Sequence, residues 1–161
     1  MSLLPVDDAI AAILQRVPEP AAETVPLNEA AGRVLLDPVI AMHDQPPFHA
    51  SAMDGYAMRA ADVAEGHRLK LVGVSQAGAG HVGPVGPGEA VRIFTGAPVP
   101  TGADTVIMQE EAVVDGGFVA FTAPARPGHS VRPRGHDFAK GQILVDAGIR
   151  LAPMQLAAAA A

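Results

Sequence analysis

The sequence predicts a mainly β protein with a few short helices, an α+β chain that opens on an amphipathic helix. Three observations carry this. Between Met42 and Gly141, short β-rich stretches alternate with Gly and Pro. Near the start, Val6, Ile10, Ile13, Leu14 and Val17 recur at helical spacing. Gly and Pro, 17 and 15 of 161 residues, break the chain into many turns, yet stay below the roughly 25–30% that marks low-complexity sequence.

In chain order, Pro5 suits the first turn of a helix through Val17, and Pro18-Glu19-Pro20 stops it because proline lacks an N–H. Leu27–Leu36 reads as a short helical turn, halted by Gly32, followed by an extended apolar run that ends at Asp37-Pro38. Strands are expected at Leu69–Val74, Ala90–Phe94, Thr105–Met108, Val113–Val114 and Phe118–Thr122, with a mobile loop over Gly78–Gly88. Asp115-Gly116-Gly117 supplies the positive φ angles of a tight hairpin between the last two strands. Gln142–Val145, the turn Asp146-Ala147-Gly148 and Ile149–Leu151 suggest a second hairpin. Pro153 starts a closing helix that has no C-cap and reads as cut in mid-course.

Composition narrows the function. Hydrophobic residues make up 49% of the chain, much of it alanine, while aromatics are 4% and Trp is absent, so Val, Leu and Ile must fill the core. A net charge of -6 is the wrong sign for a generic nucleic-acid or anionic-membrane binder, so any anion site must be local. The lack of cysteine excludes a disulfide framework, a thiolate nucleophile and a Cys-ligated metal. No signal peptide and no apolar run near ~20 residues is found, so a cytoplasmic location is expected. At 161 residues the chain holds one ordinary domain or two small ones, and is short for a complete multi-step enzyme.

Three segments could carry chemistry. In Pro46–Ala57, Gly55 permits a sharp bend after Asp54, so that this carboxylate could meet Mg²⁺ or position a proton or water. Ser51-x-x-Asp54 equally fits a capping box that only satisfies helix-end N–H groups. In Val91–Asp104, a strand ending in Thr95-Gly96 could offer a hydroxyl and backbone N–H groups to an oxyanion, although turn chemistry also explains its glycines and prolines. In Arg126–Asp137, three arginines gather as a phosphate or other tetrahedral oxyanion would require, with Asp137 placed either to act or simply to pair with them. The six histidines show no metal-ligand spacing, and no Walker loop, Gly-x-Ser-x-Gly elbow or dinucleotide fingerprint occurs.

Ser51–Ala57 (Ser-Ala-Met-Asp-Gly-Tyr-Ala), Thr95–Pro100 (Thr-Gly-Ala-Pro-Val-Pro) and Arg132–Asp137 (Arg-Pro-Arg-Gly-His-Asp), in this order, resemble the molybdopterin molybdenumtransferase family. Leu27–Leu36, Ala103–Glu111 and Lys140–Gly148 resemble it too, so the likeness covers nearly the whole chain. It implies an enzyme of molybdenum cofactor biosynthesis that takes adenylylated molybdopterin and molybdate, inserts the metal and releases AMP with Mg²⁺. It implies a β-rich inner domain at 46–139, a discontinuous linker domain from 21–45 and 140–161, and an N-terminal helical arm at 1–20. The family's C-terminal molybdopterin-binding domain is expected to be absent from this chain, which alone would then be inactive.

The resemblance further implies a homodimer whose active cleft is shared between subunits, and a molybdopterin adenylyltransferase as upstream enzyme. Carried over by position, Asp54 and Asp137 are the catalytic and metal-handling candidates, while Ser51, Met53, Thr95, Gly96 and Arg132 are the substrate-binding ones. His136 stands where the family commonly has glutamate. Relatives of the family include a eukaryotic receptor-clustering protein, so the alternative is a non-catalytic scaffold. A third reading is a phosphate binder acting through Arg126–Arg134.

Overall fold

The computed structural model describes residues 4–18, 20–63, 67–122 and 124–161. The chain divides into two compact units, one built from 1–38 and 145–161, the other from 39–144.

In the first unit, α1 (Val6–Leu14) starts after Pro5 and carries Asp7 and Asp8 in its first turn, where the helix dipole favours negative charge. The N–H of Gln15 donates to the carbonyl of Ala11 and that of Arg16 to the carbonyl of Ile13, which tightens the last turn, so the regular helix stops short of Val17. None of its residues is buried, and its apolar stripe, including Ile13 at 64% exposure, faces outward. A 3₁₀ turn follows at Leu27–Glu29 and Gly32 turns the chain at φ 79°.

The extended run after Gly32 finds a partner far along the sequence. Gly32 N–H donates to Leu151 O (2.8 Å), Leu151 N–H to Arg33 O (2.8 Å) and Leu35 N–H to Ile149 O (3.0 Å). The hairpin expected between Ile143–Val145 and Ile149–Leu151 therefore does not form. Gly148 does adopt the positive φ of a turn (78°), but its N–H donates to Leu35 O (2.8 Å), outside that hairpin. Last comes α2 (Pro153–Ala160), with proline at its start and the Gln155 side chain accepting from Ala152 N–H (3.2 Å).

The second unit begins with β1 (Val39–Ile40), which pairs with β10 (Ile143–Val145). Its body is a six-stranded sheet made of β3 (Gly55–Met58), β4 (Arg68–Ser75), β5 (Glu89–Ile93), β6 (Thr105–Met108), β7 (Ala112–Asp115) and β8 (Phe118–Phe121). The order is β6-β3-β5-β4-β8-β7, antiparallel except for the parallel β4–β5 pair. The β7–β8 hairpin forms as predicted, with Gly116 and Gly117 both at positive φ (56° and 81°), the requirement of a two-residue primed turn.

Strand alternation sends side chains to both faces of the sheet. Tyr56, Met58, Leu69, Ala90, Ile107 and Val119 form one buried cluster. Ala57, Ile93, Ala97 and Val106 form a second, on which the partly buried Val99, Ala103 and Val131 pack. The fully buried side chains are mostly aliphatic, as the scarcity of aromatics requires. Among the described residues, no helix is long and apolar enough to cross a membrane.

Candidate functional site

The site grows from the edge of the second cluster, where β2 (Ala50–Ser51) pairs antiparallel with β9 (Val131–Arg132), matching Ala50 with Arg132 and Ser51 with Val131. Ser51 is buried, and its hydroxyl donates to Met53 O (2.6 Å) while also accepting from Met53 N–H (3.3 Å). The chain thereby bends through Ala52, Met53 and Asp54 before entering β3, and no helix starts here. The capping-box reading of Ser51 and Asp54 is therefore overturned, since a helix with free N–H groups is what such a box needs.

Asp54 instead faces the end of β5. Its Oδ1 accepts both the backbone N–H and the hydroxyl of Thr95, each at 2.7 Å. The backbone donor first, then the hydroxyl, holds the carboxyl below its usual range; the nearby Arg92 charge adds to this and partial desolvation opposes it. Oδ2 makes no hydrogen bond among the described residues. Gly96, at φ 78°, donates its N–H to Ser51 O (2.9 Å), and Ser51 N–H donates to Ala97 O (2.9 Å). Ser51, Met53, Asp54, Thr95 and Gly96 thus share one hydrogen-bonded knot.

Gly55 explains the tightness of the bend. A Cβ placed there would meet the carbonyl oxygen of Ile107 at 2.0 Å, so only glycine lets β3 lie this close to β6 behind Asp54.

Arg132 and Asp137 form their own pair, beside the knot through β9. One guanidinium nitrogen of Arg132 donates to both carboxylate oxygens of Asp137 (2.6 and 2.8 Å), and its other guanidinium nitrogens find no partner among the described residues. No direct contact joins the carboxylates of Asp54 and Asp137 among the described residues, nor do three His, Asp or Glu side chains there gather as a metal site. A neighbouring strap was not read from the sequence. Asp44 accepts from Lys140 N–H (2.8 Å) and from the Arg134 guanidinium (2.6 Å), while Arg134 N–H donates to His49 Nδ1 (3.3 Å). The Lys140 N–H foremost, then Arg134, hold the Asp44 carboxyl below its usual range against some desolvation.

Arg92 is a further residue at the site that no sequence motif singles out, half-buried on β5. It lies opposite Tyr56 in the β3–β5 register, with its guanidinium carbon 5.2 Å from the Tyr56 ring centroid and 4.7 Å from that of Phe94.

Fold and site together define a mainly β module that displays a threonine-clamped carboxylate on a bend, next to an arginine loop. The chain belongs to the molybdopterin molybdenumtransferase (MoeA) family: residues 4–161 match the MoeA N-terminal region (domain I and II). It is 36% identical over 156 residues to the molybdopterin molybdenumtransferase of Haemophilus influenzae, a match covering 96% of this chain and 39% of that protein. With its Bacillus subtilis counterpart it shares 35% identity over 159 residues, covering 93% and 37%. Among solved structures, a molybdopterin biosynthesis MoeA protein from Pyrococcus horikoshii superposes with a TM-score of 0.88 at 34% identity, covering 97% of this chain and 43% of that one. The chain thus spans about two fifths of the length of these relatives.

Proposed function

We propose that this chain is the N-terminal part of a molybdopterin molybdenumtransferase, contributing half of a cleft in which molybdate enters adenylylated molybdopterin and AMP leaves. The observation that supports this most is the Asp54–Thr95 clamp: one carboxylate oxygen of this exposed residue is fixed by two donors while the other accepts no hydrogen bond among the described residues. Molybdate and the phosphates of the nucleotide are anions, so a bare carboxylate repels them unless a cation, a proton or water lies between. Held charged by Thr95, Asp54 is suited to that bridging work and to steering a proton at Oδ2. The donors of Arg132 that Asp137 does not take suit the anion itself, with Asp137 orienting the guanidinium.

Mg²⁺ fits this donor set, since it takes one or two carboxylates and completes its shell with waters and substrate phosphates. Asp54 Oδ2 would be its ligand here; Asp137 could join once its pairing with Arg132 loosens. When bound, the ion would offset negative charge on the phosphoryl oxygens. In this reading a second copy of the full-length protein completes the cleft in the cytoplasm, and a molybdopterin adenylyltransferase supplies the substrate.

AMP release from adenylylated molybdopterin, molybdate and Mg²⁺ tests it, using the full-length protein, its Asp54→Asn variant and this chain alone. The amide of Asp54→Asn keeps the size but not the charge, and the rate should fall about 10²-fold or more. The 161-residue chain alone should give none. Parental activity in the Asp54→Asn variant would reject Asp54 as a cleft residue. A second reading, a protein-binding module, draws on the uncovered stripe of α1.

A further inference from the structure

We propose that Arg92 is a positioning residue for the Asp54 bend, gripping it from both sides. One Nη of its guanidinium donates to the carbonyl of Gly55 (2.7 Å), the residue immediately after Asp54, and to Ile93 O (3.3 Å). The other donates to the side chain of Gln109. Gln109 closes the circuit, because its own N–H donates to the carbonyl of Asp54 (3.1 Å). The carbonyls of Asp54 and Gly55 are therefore tied, directly or through one residue, to a single guanidinium.

That guanidinium is itself held. It lies over the rings of Tyr56 and Phe94, and Tyr56 is anchored in the buried cluster of the sheet. Phe94 immediately precedes Thr95, whose N–H and hydroxyl clamp the Asp54 carboxylate. One planar cation thus connects the strand that follows the carboxylate, the strand that leads into its clamp and the 3₁₀ turn Gln109–Glu111. Lysine could supply the charge, but neither the plane nor two separate donor nitrogens.

The inference rests on Asp54 working in the cleft, and two measurements separate its failure from failure of that reading. In the full-length protein, Arg92→Lys should lower kcat for AMP release about tenfold or more while KM for molybdate stays within about twofold, since a displaced group loses orientation more than binding. In this chain, amide exchange at Thr95 and Gln109 should quicken about tenfold in Arg92→Lys while the sheet amides of Tyr56 and Val91 keep their protection. Gln109→Ala, at an exposed site, should move both readings the same way by a smaller factor, and stands in if Arg92→Lys does not fold. Parental kcat or unchanged exchange at Thr95 and Gln109 would overturn the proposal. A loss confined to KM would do so as well, by making Arg92 an anion contact. If Asp54→Asn keeps full activity, the cleft reading fails, and the exchange data still decide whether Arg92 holds the bend.

Discussion

Asp54 shows how a single side chain acquires a role from its donors. Its ordinary carboxyl pKa is 3.8, and in the fold Thr95 lowers it. A carboxyl whose folded pKa is depressed adds stability above the unfolded value and loses it as pH falls through the folded value. Thr95→Val removes the hydroxyl and keeps the N–H, so it removes part of that acid-sensitive contribution. Urea unfolding of the parent chain and of Thr95→Val should differ most at about pH 7, and the gap should narrow as pH falls through the lowered Asp54 pKa and the carboxyl takes up its proton. A gap independent of pH would mean that the hydroxyl acts on packing alone. At this scale, Ser51, Asp54, Thr95 and Arg132 were legible in the sequence because each sits in a short, distinctive segment. Arg92 was not, because its importance comes from Tyr56, Phe94 and Gln109, which converge on it only after β3, β5 and the 3₁₀ turn are assembled.

Among the elements, the β7–β8 hairpin was legible because its cause is local: two adjacent glycines at positive φ. The pairing of β10 was not, since a three-residue strand carries no register information and takes its partner from tertiary packing. The true partners of Ile143–Val145 and Ile149–Leu151 lie roughly a hundred residues upstream, beyond the reach of any periodicity. Gly55 gives the most demanding test of strand geometry. Gly55→Ala drives a methyl into the Ile107 carbonyl, backbone that cannot rotate away, and should cost about 2–3 kcal/mol in urea unfolding or prevent folding. Gly96→Ala meets nothing within 4 Å and bears only the strain of its positive φ, so it should cost less, about 1 kcal/mol. Equal losses at the two sites would contradict the close β3–β6 approach.

Across the whole molecule, most described aliphatic side chains of the sheet are buried whereas the stripe of α1 is not. Replacing both Ile10 and Ile13 by Gln should therefore change the thermal stability of this chain by less than about 0.5 kcal/mol. A loss well above that would show that the stripe is packed in solution. Selective loss of partner binding, with AMP release intact in the full-length protein, would favour the protein-binding reading.

The contacts around the site also differ in how much chain they enclose. The clamp of Asp54 by Thr95 joins residues 41 apart, His49 meets Arg134 across 85, and Asp44 holds Arg134 and Lys140 across 90 and 96. Loop-closure entropy grows slowly, about 0.6 kcal/mol per doubling, so these contacts differ little in thermodynamic cost. They differ more in timing. A ribosome adding about 5–20 residues per second delivers Thr95 to the waiting carboxylate seconds before it delivers the arginine loop. The nascent chain can thus close the Asp54–Thr95 clamp first, and β9, the strand partner of β2, arrives afterwards with the arginine loop.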